Sequence, residues 1–155
     1  MYEQFFYVNM DINMKLNRRD LVCYIDEPYF SRGEEYVQQR LVKISSMSDT
    51  WIKGKIVGTN VYAVKLEYKH NELSGICSCP AFEQFGPCKH LAALGLALLA
   101  YHCGKYQDVD KKLEGDIEEY ESFEKSLKRK NKSELIEMLI QVSNWYPDIV
   151  YDLMD

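Results

Sequence analysis

The stretch CSCPAFEQFGPCKH, residues 77–90, holds four groups that bind soft or borderline-soft ions: Cys77, Cys79, Cys88 and His90. A disulfide between Cys77 and Cys79 would close a strained ring, because the bridge wants its two Cα atoms about 5.5 Å apart with defined side-chain directions. A redox dithiol is expected as Cys-x-x-Cys, and this chain has Cys-x-Cys. A Cys88–His90 nucleophilic dyad is conceivable at a helix start, but it leaves Cys77 and Cys79 without a role. A metal site uses all four.

In an extended segment, residues i and i+2 point to the same side, so Cys77 and Cys79 present two sulfurs together. Pro80 then ends the strand, AFEQFGP returns the chain as a loop, and Cys88 and His90 fall at the start of a helix. Two sulfurs from a strand end, with one sulfur and one imidazole from a helix start, make a closed Cys3His set of the kind Zn2+ accepts in structural sites. Iron–sulfur ligation is the alternative, and it normally takes four cysteines. The expectation is one structural Zn2+ per chain, with no coordination position open to substrate or water. Three thiolates and Zn2+ sum to −1, which Lys89 and the backbone N–H groups of the helix start can offset.

Several elements must position this set. NRRDLVCYI, residues 17–25, reads as a short helix, and YFSRGEEY as the joint leading into a β region. EEYVQQRLVKISS, TWIKGKIVG and NVYAVKLEY are rich in Val, Ile, Tyr and Trp, which predicts a three-stranded antiparallel meander over residues 35–69 with a tight turn at Gly58 to Asn60. GICSC follows as a further short extended segment. CKHLAALGLALLAYHC is apolar on nearly every face and predicts a buried helix packed on the sheet. Beyond it Tyr106, Val109, Leu113, Ile117, Tyr120, Phe123 and Leu127 form a stripe at helical spacing, with Gly115 marking a weak point. KSELIEMLIQVSNWYPDIVYDLMD reads as two short helices, Ser133 capping the first and Pro147 in the first turn of the second. The fold class is therefore α+β: a three-to-four-stranded antiparallel sheet joined through the Cys3His site to a buried helix, then a charged helical C-terminal region. The boundaries read as an N-terminal helical segment at 1–29, a zinc-binding domain at 30–104 and a helical extension at 105–155.

The chain has 155 residues, 46% hydrophobic, 28% charged and 13% aromatic, enough for one domain with a core and not the composition of a disordered chain. No basic leader or cleavage site is visible at the start. The longest apolar stretch, LAALGLALLA, is about half of the roughly 20 residues that a membrane span needs. A cytoplasmic location without membrane insertion is expected, and there clustered thiols point to metal or catalysis before disulfides. The net charge of −5 is uneven: residues 1–75 balance at 0, residues 76–105 carry +1 and residues 106–155 carry −6. The acidic tail repels nucleic acid. Lys53, Lys55, Lys65 and Lys69, on neighbouring strand candidates, together with Lys89, could still give the front half a local basic face.

The ligand pattern Cys-x-Cys, spacer, Cys-x-His resembles the SWIM zinc finger, and the likeness extends beyond the ligands. Arg32-Gly33…Tyr36 is similar to that family's lead-in, GKIVGTNVYAVKL to its hairpin, CSCP and CKH to its ligand ends, and LAALGLALL to its apolar helix. The resemblance covers roughly residues 30 to 103. Gln39 stands where a glycine is expected, which puts the local strand geometry there in question. The family implies a module that binds DNA or protein beside helicase-like chromatin-remodelling-type ATPases, Mutator-type transposases, recombination accessory factors and some ubiquitin ligases. No phosphate-binding loop of a motor accompanies it in this sequence.

Two functions follow as expectations. One is an adaptor within a DNA-handling assembly, its acidic amphipathic tail docking a protein partner such as a helicase-like ATPase. The other is direct, sequence-blind DNA binding through Lys53, Lys55, Lys65, Lys69 and Lys89, or service as the N-terminal domain of a larger helicase-like ATPase. The chain does not read as an enzyme: His90 is a metal ligand, His70 sits in a turn-like KHNEL, and adjacent His102 and Cys103 diverge on a helix. Cys23 and Cys103 read as small buried hydrophobes, and Trp51 and Trp145 as core or core-edge residues.

Overall fold

The structure is a computed structural model that describes residues 13–148. Compact contacts divide the chain at Glu114/Gly115 into two units.

The first unit opens with α1 (Arg18–Tyr24). Asn17 caps it reciprocally: its side chain accepts from the Asp20 N–H at 3.1 Å, and its own N–H donates to the Asp20 carboxylate at 3.0 Å. Two paired orphan groups let so short a helix begin cleanly. Helix α2 (Tyr29–Gln38) follows, then β1 (Val42–Met47), β2 (Trp51–Val57), β3 (Val61–Lys69) and β4 (Glu72–Cys77). The strands form one antiparallel sheet in chain order. The β2–β3 turn lies where the sequence places it, closed by the Gly58 N–H donating to the Asn60 carbonyl at 2.9 Å. Short α3 (Pro80–Phe85) and apolar α4 (Lys89–His102) complete the layer.

The expected α+β class, antiparallel sheet and buried helix are all present. Helix α4 runs between the inner face of the sheet and the helices α1 and α2, and from His90 to Leu98 every residue is buried. Leu91, Leu94 and Leu98 are fully buried in it, each contributing on the order of 1.5–3 kcal/mol of burial. Ile52 and Ile56 of β2 and Leu66 of β3 meet it from the sheet.

Residues 29–38 depart from expectation. The joint and the beginning of the first strand are one helix, because Phe30, Gly33 and Val37 recur at helical spacing and turn toward the core. Gly33 marks the closest approach: a Cβ there would lie 2.5 Å from the Ala92 Cβ and 2.9 Å from the Ala93 nitrogen. The two helices therefore meet backbone to backbone. The glycine expected at position 39 is not needed, since Gln39 has φ −82° and the left-handed residue that ends the helix is Arg40, φ 56°.

Tyr106 closes the free edge of β1. Its hydroxyl accepts from the Ile44 N–H at 3.1 Å and donates to the Val42 carbonyl at 3.0 Å. Burial, ahead of every other influence, pushes that phenol well above the ordinary tyrosine range.

Helix α5 (Lys111–Lys128) passes from the first unit into the second without a break at Gly115. The second unit continues with α6 (Lys132–Trp145). Asn131, not Ser133, is its cap, in a reciprocal pair with Glu134: 3.0 Å from the Glu134 N–H to the Asn131 side chain, and 2.7 Å from the Asn131 N–H to the Glu134 carboxylate. Of the second closing helix, only Pro147 and Asp148 are described, and both are helical; the rest of it lies outside the described residues. Trp145 is 73% exposed, which corrects its reading as a core or core-edge residue, and Cys23 and Cys103 are exposed too, which corrects their reading as small buried hydrophobes. Cys23 is on the outer side of α1, between buried Leu21 and Ile25, Cys103 is the C-cap of α4, and Trp145 ends α6, a helix that buries none of its residues.

Candidate metal centre

Each of the four ligands sits where one element ends or the next begins. Cys77 is the last residue of β4, Cys79 is the N-cap of α3, Cys88 is the N-cap of α4 and His90 lies in its first turn. Ser78, between the first two, ties the segment to β3 in both directions: its N–H donates to the Ala63 carbonyl at 3.0 Å and its hydroxyl accepts from the Ala63 N–H at 2.9 Å. Pro80 starts α3, a six-residue turn of helix where the sequence reading has a loop, and Gly86, at φ 79°, reverses the chain toward Cys88.

The result is a single cluster. The ligand atoms of Cys77, Cys79, Cys88 and His90 all lie within 4.8 Å of one another, with Cys79, Cys88 and His90 buried and Cys77 partly so. The His90 Nδ1 atom stands 3.7 Å from the Cys77 sulfur and 3.9 Å from that of Cys88. A tetrahedral zinc with ordinary bond lengths asks for sulfur-to-nitrogen separations of about 3.6 Å. The residues present therefore fit the ion, and all four positions come from the protein. One structural Zn2+ suits this Cys3His set.

The electrostatics agree with a site built for a cation. Hydrogen bonding from the Cys77 thiol, then from His90 and from the backbone N–H groups of His90 and Leu91, lowers the Cys88 pKa to about 4 despite its burial. The same contact with Cys88, reinforced by burial, raises Cys77 well above the usual thiol range. Burial raises Cys79 as well, opposed by the Phe82 N–H at the start of α3. Three sulfurs so close hold only part of the negative charge they would carry as thiolates until a cation shares the space.

Around His90 is a set of residues whose chemistry the sequence did not announce. Tyr62 stacks on the imidazole with ring centroids 4.5 Å apart and planes at 28°. Tyr36 meets it edge-on at 5.3 Å and 79°. The Lys89 ammonium lies 5.2 Å from the centre of the Tyr36 ring. The Nε2 atom of His90 is buried without a hydrogen-bond partner, beside Gly58, where a Cβ would come within 3.7 Å of that nitrogen and 3.1 Å of the Tyr36 hydroxyl. Tyr36 belongs to the lead-in and Tyr62 to the inward row of β3 with Val64 and Leu66, so alternation could have found the second.

The five lysines singled out from sequence divide. Lys53 and Lys55 of β2 and Lys65 and Lys69 of β3 alternate with the inward residues and so share the outer face of the sheet, where Lys53 lies opposite Lys65. Lys43 joins them from β1, opposite Lys55. Lys89 is elsewhere, beside the metal centre. The outer face is partly neutralised: Lys43 pairs with Glu114 at 2.6 Å, and Glu67 is shared by Lys69 and Lys65. Those two ammonium groups, Lys69 first, hold the Glu67 carboxyl at about 2. Lys53 lies 5.2 Å from the centre of the Trp51 ring, which is half-buried on the same face.

Residues 74–99 match the family model of the SWIM zinc finger. The matched span begins in β4, includes all four ligands and ends within α4. No curated protein and no solved structure matches the chain. Among the described residues, no helix is long and apolar enough to cross a membrane.

Proposed function

With residues 74–99 a SWIM zinc finger, we propose that the chain is an interaction module: an adaptor in a DNA-handling assembly, with a protein partner such as a helicase-like ATPase. The zinc, held by four protein ligands, fastens the end of β4 to the start of α4 and leaves the chemistry to the partner. The observation that supports an adaptor is on α6, where Ile136, Leu139 and Ile140 are each about half exposed at helical spacing. Such a stripe is what an amphipathic helix offers to a partner's groove. Replacing the three by serine should abolish co-purification with a helicase-like ATPase while zinc content and the melting of the first unit stay unchanged. Retained co-purification removes the adaptor reading.

A second reading has its own support, the lysines of the outer sheet face. Contacts from Lys53, Lys55 and Lys65 to phosphates would be sequence-blind and would weaken steeply with salt. The ion pairs of Lys43, Lys65 and Lys69 compete with any phosphate, so this face reads as an auxiliary contact. Unchanged retention of short duplex DNA by a Lys53→Gln, Lys55→Gln, Lys65→Gln variant at low salt would exclude it.

A further inference from the structure

We infer that a cleft in the second unit, where α5 gives way to α6, is a binding site for phosphate oxyanions. It is a different site from the zinc centre and from the sheet face, and it does not depend on either. The sequence from Lys125 to Lys132, KSLKRKNK, has five cations and no acid, inside a region, 106–155, whose net charge is −6. Like charges this dense repel one another, and none of these side chains is buried to serve the core.

The structure gathers them. Ser122, Lys125, Ser126, Arg129, Lys130 and Glu134 line a cleft of about 480 Å3, within the range of roughly 300–1,000 Å3 common for small-ligand sites. The first four are spaced by three, four and seven, so they share one side of the last turns of α5 and the turn after it. Together they offer a guanidinium fork, ammonium groups and two hydroxyls, a set dominated by donors. That is the complement of a phosphate, which only accepts when ionised.

Ion pairs take up little of this positive charge. Among the described residues Lys128 pairs with Glu124, whereas Lys125, Arg129 and Lys130 make no ion pair. The one acid on the wall, Glu134, has its carboxylate engaged by the Asn131 N–H at 2.7 Å in the α6 cap. The sheet lysines, by contrast, already share Glu114 and Glu67. The phosphates could belong to a nucleic-acid backbone or to a free polyphosphate.

The test uses the intact zinc-loaded chain, a short fluorescent single-stranded oligonucleotide and inorganic tripolyphosphate, each titrated at low and moderate salt. The Lys125→Gln, Arg129→Gln double variant should weaken binding about tenfold and flatten the salt slope by about 1.4 for the single strand, the loss of two phosphate contacts. Glu134→Gln keeps a side chain able to complete the cap and should tighten binding severalfold, a change of opposite sign that misfolding would not produce. Zinc content and circular dichroism verify the fold of each variant. Binding of the oligonucleotide alone identifies the strand as the ligand, binding of tripolyphosphate alone the free anion, and both support the site when the variants shift as stated. Failure of both probes at low salt overturns it. So does binding that both variants leave unchanged, including binding lost only when Lys53 and Lys65 are replaced, which would favour the sheet face instead.

Discussion

The ring of Tyr62 lies stacked against the imidazole of His90, centroids 4.5 Å apart, on the opposite side of the sheet from the lysines. His90 presents Nδ1 to the sulfurs and buries Nε2 beside Gly58. Tyr62 and Tyr36 thus fix the ring plane, and with it which nitrogen can reach a metal. Groups that orient a ligand in this way typically govern metal affinity by about 10–100-fold. Tyr62→Ala should weaken zinc binding on that scale in competition with a chromophoric chelator, while Tyr62→Phe, which keeps the ring, should bind as the parent does. Equal affinity in all three proteins would show that the stacking does not position the ligand.

Removing the metal or a ligand should loosen the first unit without erasing it. The sheet and α4 have an apolar core of their own, and the cluster adds the direct link from the end of β4 to the start of α4. Cys88→Ser, or strong chelation, should lower the melting temperature by about 10 °C or more, in line with a loss of a few kcal/mol. An unchanged melt would mean that the ion holds nothing the core does not already hold.

Zinc binding should release protons. In the metal-free cluster Cys88 is already a thiolate near neutrality, with its pKa held at about 4, while Cys77 and Cys79 are raised and keep theirs. Loading near pH 7 should therefore expel about two protons per zinc, measured by calorimetry in buffers of different ionisation enthalpy. The sign follows: zinc-linked stability is present at neutral pH and is lost as pH falls, because protons recapture the sulfurs. Release of no protons would contradict the two raised thiols.

Gly33→Ala tests the contact between α2 and α4. The added methyl would lie 2.5 Å from the Ala92 Cβ and 3.0 Å from the Lys89 carbonyl oxygen, distances that force the helices apart. A loss of about 1–3 kcal/mol in urea unfolding is expected, with weaker zinc binding as well, since Lys89 sits between two ligands. Gly115→Ala, with nothing near its Cβ, is the control and should be neutral or slightly stabilising.

Much of the metal centre was legible because its logic is local. Cys77 with Cys79 and Cys88 with His90 each need only a two-residue offset, and Pro80 and Gly86 mark where the chain must turn. The buried α4 was legible for a similar reason, since a helix apolar all round has to be covered. Helix α2 was not. Tyr29, Phe30 and Tyr36 favour strands by propensity, and only the partner surface of α4 makes the spacing of Phe30, Gly33 and Val37 meaningful. Alternation along β3 could place Tyr62 inward, but not its stacking on His90, a residue 28 positions away in sequence. Cys23, Cys103 and Trp145 show the opposite error, apolar residues assigned inward by type where their place on the helix leaves them exposed.

The phenol of Tyr106, seated on the edge of β1, decides where this protein can safely be cut. A fragment stopped at residue 105 would bare the Ile44 amide and Val42 carbonyl, and an open ladder of that kind invites another chain to zip onto it. A fragment carried through Glu114 keeps both the phenol and the partner of Lys43. Clumping in the shorter piece would then report an uncovered seam, not an unstable finger.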